Sequence, residues 1–99
     1  MVTDQTARLL LKQMLTAAIS AADPSICLPS FLPSPPTGKT IVLGAGKAGA
    51  RMAETVEAQW KGPISGLVIV PYGYRSSCKD IEIVEASHPI PDDLSLIHI

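Results

Sequence analysis

The feature that most restricts the fold is a glycine-rich loop, Gly44-Ala45-Gly46-Lys47-Ala48-Gly49, set between a β-branched run and a helical pattern. Thr40-Ile41-Val42-Leu43 precedes it, and a continuous apolar run of this kind suits a strand buried on both faces of a parallel sheet. Ala50, Met52, Ala53, Val56, Glu57 and Trp60 follow in a helical pattern that Gly62-Pro63 stops. A second apolar run, Gly66-Leu67-Val68-Ile69-Val70, ends at Pro71. Strand, glycine turn, helix and strand make one βαβ unit, whose crossover is expected to be right-handed. The predicted class is therefore α/β, with a Rossmann-like parallel sheet. A third run, Asp80 to Glu85, mixes Ile81, Ile83 and Val84 with acids and reads as an exposed or edge strand.

Around this unit the chain divides into four parts. In residues 1–23, Ala7, Leu11, Met14, Leu15, Ala18, Ile19 and Ala22 share one helical face. Thr3 or Asp4 can cap this amphipathic helix, and Pro24 is expected to stop it at Asp23. Residues 24–37 carry five prolines and are expected to be a connector without regular structure, from which Ile26, Leu28, Phe31 and Leu32 can pack down. Residues 38–93 hold the start of the α/β domain, and residues 94–99 form a short apolar tail with no evident cap.

Composition narrows the function. Charged residues make up 17% of the 99, against about 25% in an ordinary soluble domain. The net charge is −1, so no basic field is available for a nucleic-acid backbone. The N-terminus has no basic start or apolar core of a secretory signal, and no uncharged stretch approaches the ~20 residues of a membrane span. Cys27 and Cys78 stand far apart, without CxxC or paired histidines, and read as free thiols of a cytoplasmic protein. So many apolar residues on so small a chain imply further surface to cover, by oligomerisation or by more of the same polypeptide.

The loop matches GxGxxG where that pattern has meaning, after a strand and opening a helix. Gly44 is expected to make the tight turn, Gly46 to let a ligand reach the backbone, and Gly49 to let helix and sheet approach closely. Exposed amides and the helix dipole then form an anion site. A small-residue turn serving only close packing would have the same sequence. A dinucleotide site would place an acid at the end of the second strand, where Ile69-Val70-Pro71-Tyr72 has none. Lys47 adds a point charge suited to a carboxylate or a moving phosphoryl group. Gly38-Lys39-Thr40 imitates the end of a P-loop, but it precedes a strand and lacks the first glycine. His88, between Ser87 and Pro89, follows the third strand, where α/β sheets present ligand-contacting loops. Asp92 and Asp93 read as solvated acids or a helix cap, and Tyr72-Gly73-Tyr74-Arg75 can border the same site.

Taken in order, Ala21-Ala22-Asp23-Pro24, Gly38 to Ala48, Gly62 to Val68 with Tyr72-Gly73, and Glu82 to Asp92 resemble the N-terminal part of the glycerate 2-kinase family. This is the group with a C-terminal MOFRL domain, often labelled hydroxypyruvate reductase. The resemblance runs from Leu10 to Asp93, and the GAGKA and EA-S-HPxPD blocks together make it specific. It implies ATP- and Mg2+-dependent phosphorylation of the 2-hydroxyl of D-glycerate by a cytoplasmic two-domain enzyme. Lys47 would be catalytic, and Gly44, Ala45, Gly46, Ser87 and His88 would hold glycerate or phosphate. The remaining nucleotide and catalytic groups would lie in C-terminal domains of the same chain, so residues 1–99 alone are expected to be inactive and the sheet domain incomplete. An NAD(P)-dependent hydroxypyruvate reductase and a catalytically silent anion-binding segment are the alternatives. Residues 94–99 depart from the family pattern and are expected to be a truncation or reading-frame artefact.

Overall fold

The computed structural model describes residues 1–97; His98 and Ile99, the end of the apolar tail, lie outside the described residues. The order is α1 (Asp4–Ala22), α2 (Pro24–Cys27), a 3₁₀ turn (Pro29–Phe31), β1 (Thr40–Ala45), α3 (Gly49–Gln59), β2 (Ile64–Pro71), β3 (Ile81–Ala86) and α4 (Asp93–Ile97). The strands form one parallel sheet in the order β1-β2-β3, preceded by a helix, so the fold is α/β.

Side chains alternate across the sheet, and register decides which share a face. Gly44 pairs with Val68 and Val68 with Ile83. Val68, Val70, Ile81 and Ile83 accordingly pack with Ala50 and Ala53 of α3, with Val42, Ile64 and Cys78 at the margin. Burying four such branched side chains contributes roughly 6–12 kcal/mol before chain entropy is set against it. Two glycines make the layers fit. A Cβ on Gly49 would stand 2.8 Å from Val68 Cγ1, and one on Gly66 would stand 2.0 Å from the Val42 carbonyl oxygen. Gly49 thus has the packing role its position in the loop suggested.

Other expectations need correction. β1 is not buried on both faces: Ile41 and Leu43 are 69% and 78% exposed. β1 forms one edge of the sheet and its second face is uncovered, whereas β2 and β3 carry the buried positions. The strand also runs on through Gly44 and Ala45, because both pair with β2. Gly44 is therefore a strand residue, and the turn begins at Gly46, whose φ of 122° is open to glycine alone.

The proline-rich segment is not without structure. Pro24 occupies the first turn of α2 and Pro29 that of the 3₁₀ turn, positions that need no amide hydrogen. Asp23 ends α1, accepts from the Ser25 N–H to start α2, and pairs with Arg51 of α3 at 3.0 Å. Of the apolar residues there, Leu28 and Leu32 are half-buried while Ile26 and Phe31 stay exposed. Thr3 caps α1 reciprocally with Thr6. The α1 stripe of Leu11, Met14, Leu15 and Ile19 is more than half exposed. The accessible surface, 7409 Å², exceeds the roughly 5,400 Å² of a compact protein of this mass. Among the described residues no helix is long and apolar enough to cross a membrane.

Candidate functional site

Parallel pairing brings the carboxyl ends of the three strands side by side: Ala45 beside Ile69, and Pro71 beside Ala86. Ligands of open α/β sheets bind at this end, where the loops leave the strands. The Gly46 N–H donates to the Ile69 carbonyl at 3.0 Å, which anchors the start of the glycine loop on β2. The chain then turns through Lys47 and Ala48, and the Gly49 N–H donates back to the Gly46 carbonyl at 3.1 Å. No side chain caps the first turn of α3. A Cβ on Gly46 would meet nothing within 4 Å, so one side of the loop is open for approach.

A cavity of about 150 Å³ lies here, lined by Ala45, Gly46, the β2 end Ile69–Pro71, Ala86, Ser87, His88 and Ser95. Four of the expected site residues, Ala45, Gly46, Ser87 and His88, thus share one wall-lined space. Gly44 sits one residue back in β1, and Lys47 lies exposed in the loop, next to the cavity in sequence but outside its lining. Ser87 is half-buried and His88 exposed, and the His88–Pro89 peptide bond is cis.

Sequence reading undervalued Asp92. Its carboxylate accepts from Tyr72 Oη at 2.7 Å and from the N–H and Oγ of Ser95, both at 3.1 Å. The Tyr72 bond, above all, holds the Asp92 carboxyl down at about 2, against burial and with help from Ser95 and Ser87. The same bond, then burial and the charges of Asp92 and Glu85, pushes the Tyr72 phenol above its ordinary value. The Asp92-x-x-Ser95 spacing was a legible cap signal; nothing local pointed to Tyr72, twenty residues away. Capped in this way, α4 gives the apolar tail a structured start that its composition concealed.

Larger depressions, of about 430 Å³, lie at the opposite end, around Arg75–Asp80 and the start of β3. Two of the acids there, Glu54 and Glu57, are already occupied. Glu57 accepts from the N–H groups of Lys79, Asp80 and Ile81 at 2.6, 3.2 and 3.2 Å. Burial acts against its charge, but those amides and the Cys78 thiol bring its carboxyl below the usual range. Glu54 accepts from Ser76 Oγ. These bonds tie the β2–β3 connection to α3. Cys78, desolvated and facing Glu57 and Glu54, is pushed up to about 11, and so is an inert thiol.

A parallel α/β unit with a glycine loop and a small cavity at its strand ends places the chain in the class of open α/β sheet proteins. Comparison with known proteins makes the assignment specific. Residues 10–98 match the family described as a domain of unknown function, DUF4147, and the chain belongs to that family. A putative hydroxypyruvate reductase of Agrobacterium vitis is 45% identical over 94 residues, covering 94% of this chain and 22% of that protein. The D-glycerate 2-kinase of Thermotoga maritima is 32% identical over 83 residues, 82% of this chain and 20% of its own length. The crystal structure of the PH0495 protein of Pyrococcus horikoshii OT3 superposes with a TM-score of 0.74 at 28% identity, over 98% of this chain and 24% of that one. The chain therefore spans about a fifth of the length of the curated relatives it matches. The family match continues through most of residues 94–99, the stretch expected to lie outside the family.

Proposed function

We propose that this chain supplies the substrate end of an ATP-dependent glycerate 2-kinase acting on the 2-hydroxyl of D-glycerate in the cytoplasm. The observation that carries the reading is the convergence of the Gly46 loop and the Ser87–His88 loop on one small cavity at the strand ends. About 150 Å³ suits a three-carbon hydroxy acid or one phosphoryl group and is too small for a nucleotide, since pockets for drug-sized ligands run to about 300–1,000 Å³. The nucleotide base and ribose would then be held by other parts of the whole protein.

Phosphoryl transfer asks the protein mainly for positioning and for charge stabilisation. The backbone around Gly44, Ala45 and Gly46 and the first turn of α3 would hold the carboxylate or the moving phosphoryl group, with Ser87 and His88 orienting the hydroxyl end. Lys47 would bring its ammonium over the cavity mouth, where it counters the charge that develops on the phosphoryl oxygens. Among the described residues no group of three His, Cys, Asp or Glu is placed to hold a metal ion. Mg2+ is held by one or two carboxylates together with substrate phosphates, and its ligands would come with the nucleotide from other parts of the whole protein.

The reductase name of the Agrobacterium vitis relative supports a second reading, NAD(P)H-dependent reduction of hydroxypyruvate. Against it, β2 ends at Pro71-Tyr72, with no acid to take a ribose hydroxyl. A chimera in which residues 1–99 replace the matching segment of that relative tests both. ATP-dependent formation of 2-phosphoglycerate, reduced at least a hundredfold by Lys47→Ala, is the expected result. Oxidation of NAD(P)H by hydroxypyruvate without ATP turnover would overturn it.

A further inference from the structure

The β2 wall of the cavity ends at Pro71 and its β3 wall runs on into Ser87 and His88, and a single carboxylate joins the segments that follow. Tyr72 leaves β2 immediately after Pro71, and Ser87 leaves β3 immediately after Ala86. Tyr72 Oη donates to Asp92, which lies on the segment that leaves β3 and starts α4 through Ser95, itself a lining residue. We propose that Asp92 is the positioning residue of this cavity, tying the Tyr72 loop, the Ser87–His88 loop and Ser95 into one rim of fixed width.

This inference rests on the reading of the cavity as a site for a small hydroxy acid or phosphate, and it adds how that site keeps its shape. The geometry carries it. Tyr72 and Asp92 are separated by twenty residues, yet their bond is 2.7 Å long and joins the segment leaving β2 to the segment leaving β3. A carboxylate beside an anion site would repel its ligand. Three donors on Asp92, from Tyr72 and Ser95, satisfy that charge, so the rim is pinned without turning a free negative charge toward the ligand. Tyr72→Phe removes one donor and frees a lone pair there. Asp92→Asn also removes the charge, and its amide oxygen can still accept from the Ser95 N–H, so α4 keeps its cap.

The two variants make a test on the 99-residue chain by NMR. The Tyr72 phenol of the wild-type chain titrates above the ordinary value of 10.0, and in Asp92→Asn it returns toward it. In Tyr72→Phe, amide exchange at Gly73 and Ser87 rises at least tenfold while the β2 interior, Val68 and Val70, is unchanged. Affinity for inorganic phosphate, followed at the Gly46 and Ser87 amides, falls about tenfold in Tyr72→Phe. An unshifted phenol, or exchange and affinity equal to wild type, overturns the positioning role, as does loosened exchange with unchanged affinity. If the wild-type chain binds neither phosphate nor D-glycerate, the site reading itself fails, and that is seen without either variant.

Discussion

Adding one methyl group at Gly66 should cost this chain more than adding one at Gly49 or Gly44 of the glycine-rich loop. In Gly66→Ala the new Cβ would lie 2.0 Å from the Val42 carbonyl oxygen, and 2.9 Å from the Val42 carbonyl carbon and nitrogen. These are backbone atoms, so no rotamer change relieves the clash. Reaching ordinary contact requires the strands to part by about 1.4 Å, which takes neighbouring N–H···O bonds out of range. Loss of two or three such bonds at about 1 kcal/mol net each, with one amide left unpaired, amounts to about 3–4 kcal/mol. For a chain of this size that lowers Tm by roughly 12–30 °C.

Gly49→Ala brings its Cβ to 2.8 Å from Val68 Cγ1, a stiff but movable side chain. Overpacking there costs about 1–3 kcal/mol, partly offset by the better helix propensity of alanine. Gly44→Ala meets Val68 at 3.5 Å, an ordinary contact, and should be neutral or slightly stabilising. Thermal and urea unfolding of the three variants, followed by circular dichroism, should rank them Gly66, Gly49, Gly44 from most to least damaging. A Gly66→Ala chain as stable as wild type would refute the strand-contact argument. Gly44→Ala as the worst of the three would return the tight turn to the position the sequence first suggested.

Two further expectations concern titration and reactivity. Asp92 is held at about 2 in the fold against an ordinary 3.8, so its folded pKa is depressed. Its contribution to stability is complete above about pH 4 and is lost as the pH falls through 2. The Asp92 carboxyl carbon should titrate near 2 by NMR, and Tyr72→Phe should move that midpoint upward; a midpoint unchanged at 3.8 in wild type would show that the Tyr72 bond does not form. Cys78, pushed up to about 11 by burial and by Glu57 and Glu54, should react with iodoacetamide at pH 8 at least tenfold more slowly than the exposed Cys27. Equal rates of the two thiols, read by peptide mass, would contradict the burial.

Much of the architecture is local and could be read directly. The α1 bounds, its Thr3 cap and its stop at Asp23 follow from 3.6-residue spacing and from proline chemistry. The strand–glycine–helix–strand order, and with it the parallel sheet, follows from β-branched runs on either side of a helical pattern. Errors arose where pairing overrode local signals. Gly44 reads as a turn residue, but its bonds to β2 extend the strand past it. β1 reads as doubly buried because it is continuously apolar, yet exposure of Ile41 and Leu43 depends on which elements cover the sheet, and that is not a property of the strand.

What the sequence by itself determined is the βαβ unit and the order of its elements, because strand, turn and helix preferences act over a few neighbouring residues. Only the tertiary structure decided that Ala45, Gly46, Ser87 and His88 face one cavity while Lys47 lies outside its lining. It alone showed that Tyr72 and Asp92 meet beyond the ends of β2 and β3 and that Glu57 reaches over to the start of β3. Those contacts join residues twenty or more positions apart, and they form only after sheet register has fixed which loop ends stand side by side.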